Sequence, residues 1–258
     1  MKLNLKESNE IIDHFLNLQS PQELADLLHV DFKYLKYYLY IIPESKRYQT
    51  FLVSKKNRSK SRTISAPTSN IKIIQQKLNL ILQNIYTPKP AVHGFIYNRS
   101  ILTNAKIHIS KRFVLNIDLK DFFPSINFGR VRGMFMAKPY SINEKVATVL
   151  AQICCYKNQL PQGAPTSPIV SNMVCSRLDS HLQKLAKKYH CMYSRYADDI
   201  TFSKTSQSFP SELAYINLDG IASVGDDLKH VINSNGFTIN DNKIRLQSNK
   251  TRQSVTGL

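Results

Sequence analysis

The stretch Tyr193-Ser194-Arg195-Tyr196-Ala197-Asp198-Asp199-Ile200-Thr201-Phe202-Ser203 constrains this chain more than any other. Apolar and polar residues alternate on both sides of two adjacent aspartates, the pattern of a β-hairpin with the carboxylates at its turn. Two like charges at a tight turn repel each other and cost stability unless a cation or a basic neighbour neutralises them. A hard divalent ion such as Mg²⁺ suits that place, because it takes carboxylate oxygens and leaves coordination positions for phosphate oxygens. Asp-Asp is also simply a good turn sequence, which is the commoner meaning of an isolated pair.

A second acidic strand end supplies the context. Phe113-Val114-Leu115-Asn116-Ile117 is a β-branched and aromatic run that delivers Asp118 just before a polar, Pro-containing break at Lys120-Asp121-Phe122-Phe123-Pro124. If the two strands are neighbours, Asp118, Asp198 and Asp199 converge. Three such carboxylates can hold two metal ions that clamp the attacking and leaving oxygens of an in-line displacement at phosphorus.

Charge points to the same chemistry. Lys and Arg total 35 against 18 for Asp and Glu, a formal net charge of +17. Such an excess favours a polyanionic partner, and nucleic acid leads because each neutralised phosphate releases counterions. No segment combines a concentrated basic face with a bulky apolar one, which argues against a membrane surface. Cys154, Cys155, Cys175 and Cys191 have neither CxxC nor zinc-type His spacing, so free thiols in a reducing compartment are expected. The N-terminus lacks an apolar signal core and no 18-residue apolar run occurs, so the expected location is cytoplasmic.

Along the chain, Ser20-Pro21-Gln22-Glu23 opens a helix with Leu24, Leu27 and Leu28 on one face, and Asp31 opens a second with Phe32, Leu35, Tyr38 and Leu39. Residues 48–53 and 62–64 read as paired strands around a cationic connection carrying Lys55, Lys56, Arg58 and Lys60. Such a charge run is usually just a solvated face. Helices are expected over residues 70–86, 143–156, 167–188 and 224–235, and a loop over 206–211. Phe122 and Phe123 cannot both face one side if their segment is extended.

These features together resemble a known family. Tyr196-Ala197-Asp198-Asp199, the Asp118 strand, and Leu160-Pro161-Gln162-Gly163-Ala164-Pro165-Thr166-Ser167-Pro168 with Ser171-Asn172 look like the palm of a reverse transcriptase. Asn104-Ala105-Lys106-Ile107-His108 is similar to the Asn-Ala-x-x-His element of the retron type, and Val255-Thr256-Gly257 to its Val-Thr-Gly element. The resemblance runs from about residue 48 to 258. It implies an α+β right-hand architecture: an N-terminal helical region (1–47), fingers (48–112, with 128–160 contributing) and palm (113–127 and 161–258). The palm sheet is expected to be antiparallel and backed by helices, with the chain ending before a thumb.

The resemblance also implies roles. Asp118, Asp198 and Asp199 would be catalytic residues and ligands of two Mg²⁺ ions. Arg62, in Arg-Thr-Ile-Ser-Ala-Pro, matches the arginine that binds the nucleotide triphosphate. Phe123 would lie beneath the incoming sugar and exclude a 2′-hydroxyl. Gln162 would belong to the nucleotide site, and residues 237–243, which resemble the family's next strand with its Asn-x-x-Lys element, would bring Lys243 toward the β- and γ-phosphates. Lys56, Lys60, Asn104, His108, Val255, Thr256 and Gly257 are candidates for RNA contact, although His108 also fits a purely structural role. The partners implied are dNTPs, a cognate structured noncoding RNA with its cDNA, and an accessory effector in phage defence. A group II intron-like or abortive-infection reverse transcriptase is the alternative within the enzyme class. A non-polymerising RNA-binding scaffold is the alternative outside it.

Overall fold

The structure is a computed structural model and describes residues 5–54 and 61–258. In chain order the elements begin with α1 (Leu5–Leu16), α2 (Pro21–Leu27), α3 (Phe32–Lys36), α4 (Glu44–Arg47), β1 (Tyr48–Ser54), β2 (Ser61–Pro67) and α5 (Ser69–Ile85). They continue with α6 (Ile101–Lys106), β3 (Phe113–Asp118), α7 (Phe122–Ser125), α8 (Phe128–Met136), α9 (Glu144–Cys154) and α10 (Ser167–Lys188). The last are β4 (Met192–Tyr196), β5 (Asp199–Lys204), β6 (Ala214–Ile216), β7 (Ala222–Val224), α11 (Asp226–Ser234) and β8 (Arg245–Ser248). The chain divides into two compact units, residues 1–87 with 126–174 and residues 88–125 with 175–258.

The first unit is mainly helical, and its helices start where their capping chemistry says they should. The Ser20 hydroxyl accepts from Glu23 N at 3.2 Å while the Glu23 carboxylate accepts from Gln19 N at 2.9 Å, fixing the start of α2. Leu24, Leu28, Leu35 and Leu39 are buried, so the expected apolar stripes are core. In α5 the buried face is Ile71, Ile74, Gln75, Leu78, Ile81 and Leu82, whereas Ile73 faces solvent. Buried Gln75 donates to the Tyr48 hydroxyl and to Ile153 O, both at 2.7 Å, and Tyr48 stacks on Tyr156 with centroids 4.2 Å apart. These bonds seat the base of β1 against α5 and α9. The antiparallel β1–β2 pair runs outward from it.

The second unit is built on a four-stranded antiparallel sheet in the order β4-β5-β3-β8. Its inner strands are buried almost continuously, with Val114, Leu115 and Ile117 on β3 and Ile200, Thr201, Phe202 and Ser203 on β5. Leu178, Leu182 and Leu185 of α10 are buried, and Asp179 on the same helix bonds to β4. His181 and Asn235 link α10 to the end of α11 at 3.0 Å.

Three local expectations change. The strand expected over 237–243 lies later, at β8; only Ile239 bridges to Leu119, and residues 241–243 form a 3₁₀ turn. The polar run Asn240-Asp241-Asn242 favours that turn over a ladder. α11 starts at Asp226 because residues 222–224 pair with 214–216 as a small hairpin that was not expected from the sequence. Phe122 and Phe123 sit in the short helix α7, not in an extended segment. All four cysteines are free, and burial pushes the Cys155 thiol up to about 12 and Cys191 to about 11.

Candidate active site

The central strand pair assembles the acidic cluster. β3 and β5 run antiparallel with Asp118 opposite Asp199, and β4–β5 closes as a hairpin with Tyr196 opposite Asp199. Ala197 and Asp198 are therefore the two turn residues, and Leu119 N donates to Asp198 O at 3.0 Å, tying the turn to the end of β3. Asp118 and the adjacent pair Asp198-Asp199, from two segments far apart in sequence, thus lie at one end of the sheet.

The surroundings of the cluster are partly cationic. Buried Asp118 accepts from Lys243 Nζ at 2.5 Å and from Asn240 Nδ2 at 2.9 Å, and Asn240 N donates to Asp118 O at 2.8 Å. Burial, then the charges of Asp198 and Asp118, raise the Asp199 carboxyl to about 6, with Lys243 and Arg245 pulling the other way. Among the described residues no three His, Cys, Asp or Glu side chains already stand gathered as a metal centre. The donor chemistry nevertheless fits a hard divalent cation: the donors are carboxylate oxygens, their charges are mutually unfavourable, and an ammonium already acts as counter-ion to one.

Phe122 is buried and stacks on Phe237 at 5.9 Å, while Phe123 is only partly buried, with Phe95 6.2 Å away. One ring of the pair therefore belongs to the core and the other faces outward. In the first unit, Arg62 is exposed on β2 opposite Val53. Ser65 N on the same strand donates to Gln162 O at 2.8 Å, so the Arg62 strand and the Gln162 loop are joined. Gly163 (φ 116) makes this approach possible, because a Cβ there would stand 2.9 Å from Ile64 Cγ2. Lys56 and Lys60 lie outside the described residues.

Asn104 and His108, considered as RNA contacts, both face the interior at 1% and 4% exposure. His108 bonds through Nδ1 to Ser203 Oγ at 2.7 Å and through Nε2 to Ser194 Oγ at 2.8 Å, spanning β5 and β4. Burial, with Lys111 and His93 nearby, lowers its pKa to about 4, so the ring is neutral at pH 7. Val255 is buried and Gly257 exposed, in a tight turn closed by Val255 N to Leu258 O at 3.0 Å.

Two features of the site were not expected from the sequence. Asn240 holds Asp118, a role that its place in the Asn-x-x-Lys element does not by itself specify. Asp179 and Arg195 form a wholly buried ion pair beneath the hairpin turn. Its signal was available: an Arg inside an alternating strand, and an Asp adjacent to Leu178 on the apolar face of a helix.

Comparison with known proteins identifies the family. The family profile described as reverse transcriptase (RNA-dependent DNA polymerase) matches residues 53–258. The chain is 39% identical over 216 residues to the retron Ec86 reverse transcriptase of Escherichia coli, covering 82% of this chain and 62% of that protein. It is 33% identical over 264 residues to the retron Mx162 reverse transcriptase of Myxococcus xanthus, covering 93% and 53%. The chain therefore spans little more than half the length of these relatives. A telomerase structure from Candida albicans shares the fold, with a TM-score of 0.53 at 13% identity over 84% of this chain and 46% of that one. With the family profile covering most of its length and its acidic strand ends paired as described, the chain belongs to the reverse transcriptase family and is of retron type.

Proposed function

We propose that this chain is an RNA-directed DNA polymerase that copies part of a cognate structured noncoding RNA into single-stranded DNA, priming from a 2′-hydroxyl within that RNA. The observation that carries the proposal is the pairing of Asp118 with Asp199 beside the Ala197–Asp198 turn, with Lys243 against Asp118. In functional terms residues 1–47 are the helical region, 48–112 with 128–160 the fingers, and 113–127 with 161–258 the palm.

Each site residue then has a task. Asp118 and Asp198 present carboxylate oxygens as principal metal ligands, and Asp199 completes the negative cluster. A pair of Mg²⁺ ions, when bound there, supplies activation of the primer hydroxyl and neutralises charge on the departing pyrophosphate. Arg62 binds the triphosphate through its fixed guanidinium fork. Phe123 denies space and hydrogen-bond partners to a 2′-hydroxyl. Gln162 lines the nucleotide site. Lys243, released from Asp118, meets the β- and γ-phosphates.

RNA affinity is supported by the +17 net charge and by a basic groove of about 470 Å³ on the second unit. Ser110, Lys111, Arg112, Thr205, Asn249 and Gln253 line it. A cytoplasmic location agrees with the four free thiols, and among the described residues no helix is long and apolar enough to cross a membrane. Phage defence with an accessory effector is the biological setting proposed from the retron relatives.

The test is Mg²⁺-dependent primer extension on an RNA template with labelled dNTPs, beside Asp199→Asn and with co-purified RNA analysed. Incorporation by the parent and a loss of about 10³-fold or more in the variant is the expected result. Full activity in the variant, or tight RNA binding without any incorporation by the parent, overturns the proposal.

A further inference from the structure

We propose that Asp179 and Arg195 are positioning residues: their buried ion pair fixes the Ala197–Asp198 turn and so sets the spacing of the acidic cluster. The incorporation arm of its test rests on the polymerase proposal, and the metal-binding arm does not.

Both side chains are 0% exposed. Arg195 donates from Nε to Asp179 Oδ1 at 2.7 Å and from Nη2 to Oδ2 at 2.8 Å, and Tyr193 Oη donates to Asp179 Oδ1 at 2.6 Å. The remaining guanidinium nitrogen, Nη1, reaches forward two residues and donates to Ala197 O at 3.0 Å. Stability alone gives little reason for such an arrangement. Dehydrating both charges is costly, and a buried ion pair can often be replaced by apolar residues of similar volume without loss. An apolar pair could not hold the Ala197 carbonyl.

That carbonyl belongs to a strained residue. Ala197 adopts φ 56, a left-handed conformation that residues with a Cβ seldom take. Such conformations persist where the surroundings over-determine them, and they gather at functional sites. Here the restraints come from several directions. Arg195 grips the carbonyl from within, while Arg195 N donates to Ala91 O and His93 N to Arg195 O, both at 2.8 Å. Gly94 then lies so close to the turn that a Cβ on it would stand 2.4 Å from Ala197 N. On the far side, Leu119 N holds Asp198 O at 3.0 Å. Only a planar fork can serve both carboxylate oxygens and the carbonyl, so lysine would not substitute for Arg195.

The experiment compares three forms with the parent. Tyr193→Phe removes one bond to Asp179 but leaves the grip on Ala197, and it serves as the stability control. Arg195→Lys keeps the charge and loses the fork. Tyr193→Phe/Asp179→Leu/Arg195→Met removes the whole polar group without leaving an orphaned partner. Tm, Mn²⁺ binding by electron paramagnetic resonance, and kcat and KM for dNTP are measured on each. Tyr193→Phe should keep parental Mn²⁺ affinity and kcat whatever its Tm. Arg195→Lys and the triple variant should bind Mn²⁺ about tenfold more weakly and lose about 100-fold in kcat, with KM for dNTP little changed. Parental Mn²⁺ affinity and kcat in Arg195→Lys overturn the inference, even if the triple variant fails to fold. So does a loss in Tyr193→Phe equal to that in Arg195→Lys. A parent that binds Mn²⁺ but incorporates no nucleotide instead overturns the polymerase proposal, and the Mn²⁺ comparison still decides the positioning role.

Discussion

The two longer β-hairpins of this protein are built on opposite principles. β1–β2 is anchored at its base by Tyr48 and then runs into solvent, with Phe51, Leu52 and Val53 exposed at 50%, 70% and 44%. β4–β5 is buried through most of its length, from Tyr193, Ser194 and Arg195 on one strand to Ile200–Ser203 on the other. A hairpin held at one end has few contacts to lose and bends at little cost, whereas one enclosed by its neighbours cannot shift without disturbing the whole sheet. The first suits capture of a substrate that must enter and leave. The second suits carboxylates whose mutual spacing decides whether chemistry occurs.

Substitutions at the enclosed hairpin give the largest expected effects. Asp198→Asn should reduce nucleotide incorporation by about 10³-fold or more while RNA retention on a filter stays within a few fold. Substantial incorporation by that variant would break the comparison at its centre. Gly94→Ala places a methyl against the backbone of the turn, so it should destabilise the protein by about 3 kcal/mol in urea unfolding and lower kcat together with stability. On the open hairpin, Arg62→Ala should raise KM for dNTP about tenfold with kcat nearly unchanged, because in the proposed site its bond to the triphosphate is the same in ground and transition states.

Smaller effects sharpen the contrast. Asp199 titrates near 6 in the folded protein against an ordinary carboxylate value of 3.8. The folded state therefore holds this proton more tightly than the unfolded state. The resulting stability is fully present below pH 3.8, declines as pH rises toward about 6 and is gone above it. Urea unfolding in a metal chelator should show this decline. Asp198→Asn removes one of the charges that repel the ionised Asp199, so in the same assay it should recover about 1 kcal/mol of stability at pH 7. On the exposed part of β1, Leu52→Thr should change stability by less than about 0.5 kcal/mol.

How much of this was legible in the sequence depended on whether the signal was local. The β4–β5 hairpin, the strand ending at Asp118 and the capped start of α2 could be read because alternation and capping chemistry act over a few residues. The meeting of Asp118 with Asp199 was readable only as a condition on strand adjacency, which register supplies and sequence does not. The β6–β7 pair was missed because three-residue strands carry too short an alternation to stand out. Residues 237–243 read as a strand because Phe237 and Ile239 look like strand residues, whereas the ladder forms at β8 and Asn240 and Lys243 bond to Asp118. Asn104 and His108 read as candidates for RNA contact, and His108 equally as a structural histidine, because nothing local to either residue shows what surrounds it. The burial of His108 follows from Ser194 and Ser203, contributed by strands some ninety residues away.

The contact between Gly94 and Ala197 has a consequence for redesign. The Tyr-Ala-Asp-Asp segment is not a portable cassette, since its conformation is completed by a glycine about a hundred residues earlier and by a carboxylate on a helix that precedes it. A chimera that transplants the hairpin between distant polymerases must carry Gly94, Asp179 and Arg195 with it. One that keeps the host's own loop and helix would inherit the letters of the box without its shape.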